Sequence, residues 1–302
     1  MSFIATALLV LASTLAPVAA LPPELNHELV QASAGLEEKA LPSPTTATTP
    51  VPVKSGTEPL QLGAASVYAI DVQTGQALFG KQPNDKRAIA SVTKMATALA
   101  IIKRHDLKKT VTIPPLPAYK PEDHIIGLKP GQQFTMGDLL AALLVASAND
   151  AADALAIIDS GSQEAFADTM NTVPKQWGVE GTNFNNPSGL VDEGNYATAK
   201  SLAQMGGLLI QNQTARSLVG TRQQAIYAAS GQRYDLATTD QLLAGGKFKG
   251  IKTGYTPAAG QCFVGLTETR GHEVITVVLG STDRFGETAK LAGWIERNYT
   301  WQ

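Results

Sequence analysis

Ser91 and Lys94, in Ile89-Ala-Ser-Val-Thr-Lys-Met95, are the first residues of the chain whose types and spacing suit nucleophilic catalysis. An alcohol attacks an amide carbonyl once a base takes its proton, and a lysine amine can be that base only while uncharged. At about 100° per residue, a helix from Ser91 would place Val92, Met95, Ala98, Leu99, Ile101 and Ile102 around most of its circumference. Thr93, Thr97 and Arg104 share the polar sector that is left, and Lys94 falls between Ile101 and Ala98, on the buried side with Ser91. Burial without a carboxylate partner favours the neutral amine. A lone pair of this kind is more commonly a capping serine beside a lysine that snorkels to solvent, so by itself it defines no site.

Two later clusters change that reading. Ser147-Ala-Asn149-Asp150 follows the apolar run Leu139 to Val145, and Lys252-Thr253-Gly254 closes a strand-like run. Taken singly, the former reads as a capping box between Ser147 and Asp150 and the latter as a strand ending in a turn. Together the three stand at a helix start, a helix junction and a strand end, an order that accident does not readily produce.

The elements that must position them can be read from periodicity. Ala64 to Asp71 and Gln76 to Phe79 flank a glycine-bearing turn and predict a hairpin. Helical spacing then runs over 91–104, 136–145, 150–158, 162–177 and 198–210. Beyond Gly245 come strand-like runs at 247–254, 261–267 and 273–280, then a final helix over 287–298. Strands at both ends around a helical middle predict an α+β domain with one antiparallel sheet flanked by helices.

Composition sets the outer limits. The 302 residues are 44% hydrophobic, enough for a substantial core, and 24 basic against 26 acidic residues leave no sequence-wide positive field for nucleic acid. Cys262 stands alone, so no intrachain disulfide can form, and its strand-like surroundings read as those of a small buried hydrophobe. Phe3 to Ala20 is an uncharged apolar run ending in small residues, which predicts a signal peptide over 1–20 cut before Leu21; the run is also long enough for an uncleaved anchor. Residues 21–61, rich in Pro, Thr, Ser and Ala, predict a tether, with the folded domain over 62–302.

These motifs resemble the serine penicillin-binding proteins of low molecular mass, the D-alanyl-D-alanine carboxypeptidase and endopeptidase family, from about Ala64 to Trp294. Asn186-Pro-Ser-Gly-Leu190 and Ile251-Lys-Thr-Gly-Tyr-Thr-Pro-Ala-Ala-Gly-Gln-Cys262 extend the likeness. The resemblance implies a three-layer, β-lactamase/transpeptidase-like fold with an all-helical subdomain. It makes Ser91 the acylated nucleophile, Lys94 its base, Ser147 the relay to the leaving amine and Asn149 the residue that orients substrate and Lys94. Lys252 and Thr253 would receive a terminal carboxylate, Gly254 would let substrate lie along the strand, and the Ser91 and Tyr255 N–H groups would form the oxyanion hole. Arg284 is a candidate for the same carboxylate, although Ser281-Thr-Asp-Arg-Phe-Gly286 does not fix its register and an exposed arginine fits equally.

The implied partners are peptidoglycan stem peptides, with β-lactams as covalent inhibitors, and the implied location is an extracytoplasmic cell-wall space. No cofactor, metal or nucleic acid is implied, and a membrane enters only through an N-terminal anchor. Ala148 stands where many relatives have glycine and Ser201 where they commonly have aspartate; Asp150, Asp153 and Asp192 read as helix-start and loop charges. A class A β-lactamase would need a deacylating glutamate, for which Glu180-Gly-Thr-Asn183 and Glu193-Gly-Asn195 are imperfect candidates. A DD-endopeptidase remains open, whereas a silent wall-binding module would have no need of Ser91, Lys94, Ser147, Asn149 and Lys252 together.

Overall fold

The computed structural model of the protein describes residues 49–190 and 194–302. The expected signal segment, the tether up to residue 48, Asp192 and Glu193 lie outside the described residues.

In chain order the N-terminal elements are β1 (Pro52–Lys54), β2 (Ser66–Asp71), β3 (Ala77–Lys81), β4 (Arg87–Ala88), a 3₁₀ turn (Ala90–Thr93) and α1 (Lys94–Arg104). The helical middle holds β5 (Thr110–Thr112), β6 (Gln133–Thr135), α2 (Met136–Leu144), α3 (Asn149–Ser160), α4 (Gln163–Lys175), β7 (Tyr196–Ala197), α5 (Ala199–Gln211) and α6 (Gln213–Val219). The remainder comprises β8 (Gln223–Tyr227), β9 (Arg233–Ala237), a 3₁₀ turn (Gln241–Gly245), β10 (Phe248–Thr256), β11 (Gly260–Thr269), β12 (His272–Ser281), α7 (Arg284–Asn298) and β13 (Tyr299–Trp301).

The central antiparallel sheet has the order β10-β11-β12-β2-β3, joining N- and C-terminal strands as the pattern predicts. Alternation along β12 shows why helices cover both faces. Val274 and Val278 pack with Val67, Ala69, Leu291, Trp294 and Ile295 on the α7 side, while Ile275, Val277 and Leu279 join the larger core with Leu202, Met205 and Leu209 of α5. That larger core continues into α1 to α4, where α1 buries Lys94 through Ile101. The α+β, three-layer expectation with a helical subdomain is met.

Three local expectations need correction. The folded body begins before residue 62: β1 pairs antiparallel with β13, Pro52 opposite Trp301, and the Trp294 indole donates to the Glu58 carbonyl at 2.7 Å. This segment is held by backbone pairing to the far end of the chain, by Trp294 and Arg297 at Glu58 and by Leu60 against the core, contacts that composition cannot show. The helix expected from Ser91 opens as a 3₁₀ turn and becomes α-helical at Lys94. The β8–β9 hairpin lies where the periodicity predicts neither helix nor strand, although Tyr234 and Leu236 alternate with polar residues along β9 and are buried. Among the described residues no helix is long and apolar enough to cross a membrane.

Candidate active site

Lys94 is completely buried at the first position of α1. Its Nζ lies 3.0 Å from Ser91 Oγ, 2.6 Å from Asn149 Oδ1 and 2.7 Å from the Ser188 carbonyl oxygen. A neutral amine has two N–H donors and one lone pair. Asn149 Oδ1 and Ser188 O can accept the two protons, which turns the lone pair toward the Ser91 hydroxyl and makes Ser91 the donor in that contact. Burial holds the Lys94 pKa well below the usual lysine value, and the nearby charge of Lys252 acts in the same direction against a weaker pull from Asp153 and Asp150. A base able to take the serine proton follows from both geometry and desolvation.

Ser91 sits in a turn whose preceding residue, Ala90, has φ of 49°, and Ser147 has φ of 58°. Side-chain-bearing residues rarely occupy this region, at a cost on the order of 1–3 kcal/mol each, and such strain is retained where a side chain must be aimed. The strain at Ser147 replaces the capping box: the cap of α3 is Ala148, with no side-chain bond, and Asp150 turns elsewhere. The Asp150 carboxylate accepts N–H bonds from Ile126, Gly127 and Leu128, while the Asn149 N–H donates to the His124 carbonyl at 2.8 Å. Tyr119 donates to Asp153 at 2.7 Å, and burial raises the Asp153 carboxyl to about 6 against the lowering effect of that bond. These contacts fasten the 119–128 loop to α3 and bring His124 to the cleft, so Asp150 and Asp153 do more than supply helix-start charge.

On the opposite wall, Lys252 Nζ donates to Ser147 Oγ at 2.8 Å and to the Thr253 carbonyl at 3.2 Å. Burial, with help from the Arg284 charge, lowers the Lys252 pKa to about 7. Gly254 is required by close approach: a Cβ there would stand 2.8 Å from the Ile89 carbonyl oxygen and 3.2 Å from the Ser91 nitrogen. The cleft of about 180 Å³ is lined by Ser91, Ser147, Thr253, Gly254, Tyr255 and Arg284, with His124 and Thr239 added. Arg284 opens α7, is half-buried, and donates from Nη1 to the Gly254 carbonyl at 2.8 Å. All nine residues singled out in the sequence therefore converge, with Lys94, Asn149 and Lys252 buried behind those that line the cleft.

The Asn186–Leu190 segment, which carries no residue role in the sequence reading, supplies the carbonyl that fixes Lys94. Thr97 donates to the Pro187 carbonyl at 2.6 Å, and Asn186 Oδ1 accepts the Gly189 N–H at 2.7 Å. Gly189 has φ of 72°, and a Cβ there would lie 1.9 Å from the Ala90 carbonyl oxygen. Gly189→Ala should therefore displace the Ser188 carbonyl and cost roughly 3 kcal/mol or more. Thermal unfolding together with penicillin acylation would show both losses; a variant with unchanged midpoint and rate would refute the steric argument.

Several other residues stand apart from the cleft. Glu180 lines a separate polar pocket with Lys86 and Lys200, away from Ser91, and Glu193 lies outside the described residues. Ser201 forms a capping box with Thr198 at the start of α5, a structural use of that position. Cys262 is buried within β11. Among the described residues no group of three or more His, Cys, Asp or Glu could hold a metal ion.

Acyl transfer by a serine with a buried lysine base is the chemistry this α+β fold presents. The D-alanyl-D-alanine carboxypeptidase family profile matches residues 53–283, and the chain belongs to that family. It is 32% identical over 230 residues to a D-alanyl-D-alanine carboxypeptidase of Bacillus subtilis, covering 72% of this chain and 58% of that protein. A Streptomyces carboxypeptidase is 30% identical, with 76% of this chain and 85% of the relative covered. Among solved structures, a Streptomyces DD-transpeptidase superposes with a TM-score of 0.72 at 27% identity, covering 80% of this chain and 99% of its own. A Mycobacterium tuberculosis D-alanyl-D-alanine carboxypeptidase gives 0.73 at 28% identity, covering 80% and 94%. The chain thus spans somewhat over half of the Bacillus relative and most of the other three.

Proposed function

We propose that the protein is a serine DD-peptidase of peptidoglycan that removes the terminal D-Ala from D-Ala-D-Ala stem peptides through an acyl-enzyme. The observation that carries this reading is the fully buried Lys94 amine 3.0 Å from Ser91 Oγ, with Asn149 and Ser188 placed to take its protons. Ser91 Oγ attacks the penultimate D-Ala carbonyl as its proton passes to Lys94, and the oxyanion develops against the Ser91 and Tyr255 N–H groups. As the C–N bond breaks, Ser147, held by Lys252, delivers its hydroxyl proton to the departing amine and is reprotonated by the proton Lys94 took from Ser91, which leaves Lys94 neutral again. Water then attacks the Ser91 ester as its proton passes to neutral Lys94, and when the ester C–O bond breaks Lys94 returns that proton to Ser91 Oγ, which restores the free enzyme and releases the acid. Thr253, Lys252 and Arg284 receive the terminal carboxylate.

β-Lactams fit the same site, since their strained amide acylates a serine; a Listeria monocytogenes penicillin-binding protein solved with cefotaxime shares the fold at a TM-score of 0.69 and 27% identity. Residues 1–20 act as an export signal or anchor and the following segment as a tether, placing the domain outside the cytoplasmic membrane. Exposure to penicillin followed by intact-mass measurement, together with release of D-Ala from a pentapeptide, tests the reading. A lasting adduct and one D-Ala per peptide support it. An adduct cleared within seconds would indicate a β-lactamase, and neither adduct nor release would indicate a binding module.

A further inference from the structure

Asp71, Asp150, Asp153 and Asp240 are all buried, and the first three are provided with donors. Asp71 accepts the Thr74 N–H at 2.8 Å and the Trp301 indole N–H at 2.9 Å, Asp150 accepts three loop N–H groups, and Asp153 accepts the Tyr119 hydroxyl. Asp240 differs. Its Oδ1 accepts the Leu242 N–H at 2.8 Å and caps the 3₁₀ turn Gln241–Gly245, but its Oδ2 is a buried acceptor without a hydrogen-bond partner. Such an oxygen is costly unless positive charge stands near it. Resting on the DD-peptidase reading, we propose that Asp240 is a positioning residue of the active site, the fixed anion that keeps the Lys252 ammonium charged for the terminal carboxylate of the substrate.

The fold brings Asp240 to that lysine. Thr239, the residue before it, lines the cleft and bonds through its hydroxyl to that of Thr253, the neighbour of Lys252 on β10. Two cations stand on this wall, the buried Lys252 and the half-buried Arg284, and among the described residues neither lies within ion-pairing distance of a carboxylate. The buried Arg284 Nε has no acceptor, so a donor without an acceptor and an acceptor without a donor occur in two residues whose charges act on each other. The other nearby carboxylates are committed elsewhere. Asp150 and Asp153 hold the 119–128 loop to α3, and exposed Asp283 caps α7 through the Gly286 N–H at 2.9 Å. On its outer side Asp240 lines a cavity of about 630 Å³ with Gln223, Thr238 and Arg222, whose charge is again positive. Lys252 itself is faced by Arg284 from α7, by Lys94 from α1 and by Ser147 from the α2–α3 junction; Asp240 is the anion of the set.

A buried ammonium beside a guanidinium is driven to lose its proton, by desolvation and by like charge. Burial and the Arg284 charge hold Lys252 to about 7, and Asp240 acts against them. In return the Asp240 carboxyl, which burial raises, is drawn back by its backbone bonds, by Lys252 and by Arg284. An uncharged Lys252 would leave Thr253 and Arg284 to hold the terminal carboxylate alone, and would withdraw a charge that helps to keep Lys94 neutral. Asp240 does not line the cleft, so its effect on the reaction passes through Lys252.

Asp240→Asn removes the charge and keeps the cap, since asparagine caps a helix as well as aspartate does. In the full chain the Lys252 amine can be titrated by NMR on isotope-labelled lysine side chains, its signal assigned by its loss in Lys252→Met. The midpoint should fall by about half a pH unit or more in Asp240→Asn. The alkaline limb of kcat/KM on a blocked peptide ending in D-Ala-D-Ala, which reports charged Lys252 in the free enzyme, should move down by the same amount. A purely structural Asp240 would lower activity at every pH and leave the limb in place. A Lys252 midpoint that stays or rises, or a limb that stays while the peptide is hydrolysed, overturns the proposal. The reciprocal measurement needs no change at Asp240: in Lys252→Met the Asp240 carboxyl, followed by the NMR signal of its carboxyl carbon, should titrate about half a pH unit or more higher than in the wild type. An unchanged Asp240 midpoint overturns the proposal even where Asp240→Asn does not fold. If no peptide is hydrolysed, the peptidase reading fails by itself, and the two titrations, which require no turnover, decide on Asp240.

Discussion

Lys94→Arg should lower the rate of penicillin acylation by about 10³-fold, within the range lost when a positioned general base is removed. A guanidinium keeps its proton under all working conditions and so cannot accept one from Ser91. The site is also built for an amine: Asn149 Oδ1 and Ser188 O stand 2.6 Å and 2.7 Å from Nζ, matched to two N–H groups and a lone pair rather than to a planar fork. Because an arginine in a space with no solvent exposure could disturb folding, Lys94→Met serves as companion. It removes the base without adding charge or bulk and should lose acylation to a similar degree while its circular dichroism and cooperative melt remain native-like. Acylation by Lys94→Met within tenfold of the wild type would show that some other group takes the serine proton.

How far the sequence reaches toward this site can be judged residue by residue. The burial of Lys94 is legible because helical periodicity places it among Ile101 and Ala98, and it is indeed fully covered. What covers it is not legible, since the Ser188 carbonyl arrives from 94 residues away and a backbone acceptor leaves no mark in side-chain types. The central sheet is readable from strands that alternate, whereas β1 and β13 pair through backbone bonds between the two ends of the folded body. Asp150 shows the opposite failure, in which a local rule is available and wrong. Its spacing from Ser147 suits a capping box, but three loop N–H groups outcompete that bond. Arg284 lacks register in sequence because the turn that aims it is set by Gln261, on the neighbouring strand β11.

Both lysines should also leave a mark on stability, which is expected to rise between pH 7 and 9.5. Burial lowers Lys252 to about 7 and holds Lys94 well below the usual lysine value, whereas the unfolded chain keeps both protons until about 10.4. Over this window the unfolded state binds more protons than the folded state, so the free energy of unfolding increases with pH, by on the order of 1 kcal/mol per unit for each lysine that is deprotonated only in the fold. For Lys252 the cost of burial is complete below its folded pKa of about 7 and is progressively relieved above it. Urea unfolding at the two pH values measures the slope. In Lys252→Met the slope should fall by the share of that lysine, which separates it from any other group titrating in the window. A slope that Lys252→Met leaves unchanged would mean that the Lys252 amine keeps its proton in the fold, and a wild-type slope of zero would mean that both lysines do, against the neutral Lys94 that the Ser91 contact requires. In the first case Lys252 would be a permanent ammonium beside Ser147 and Thr253, and its charge would go on lowering the Lys94 pKa in the direction that burial already sets.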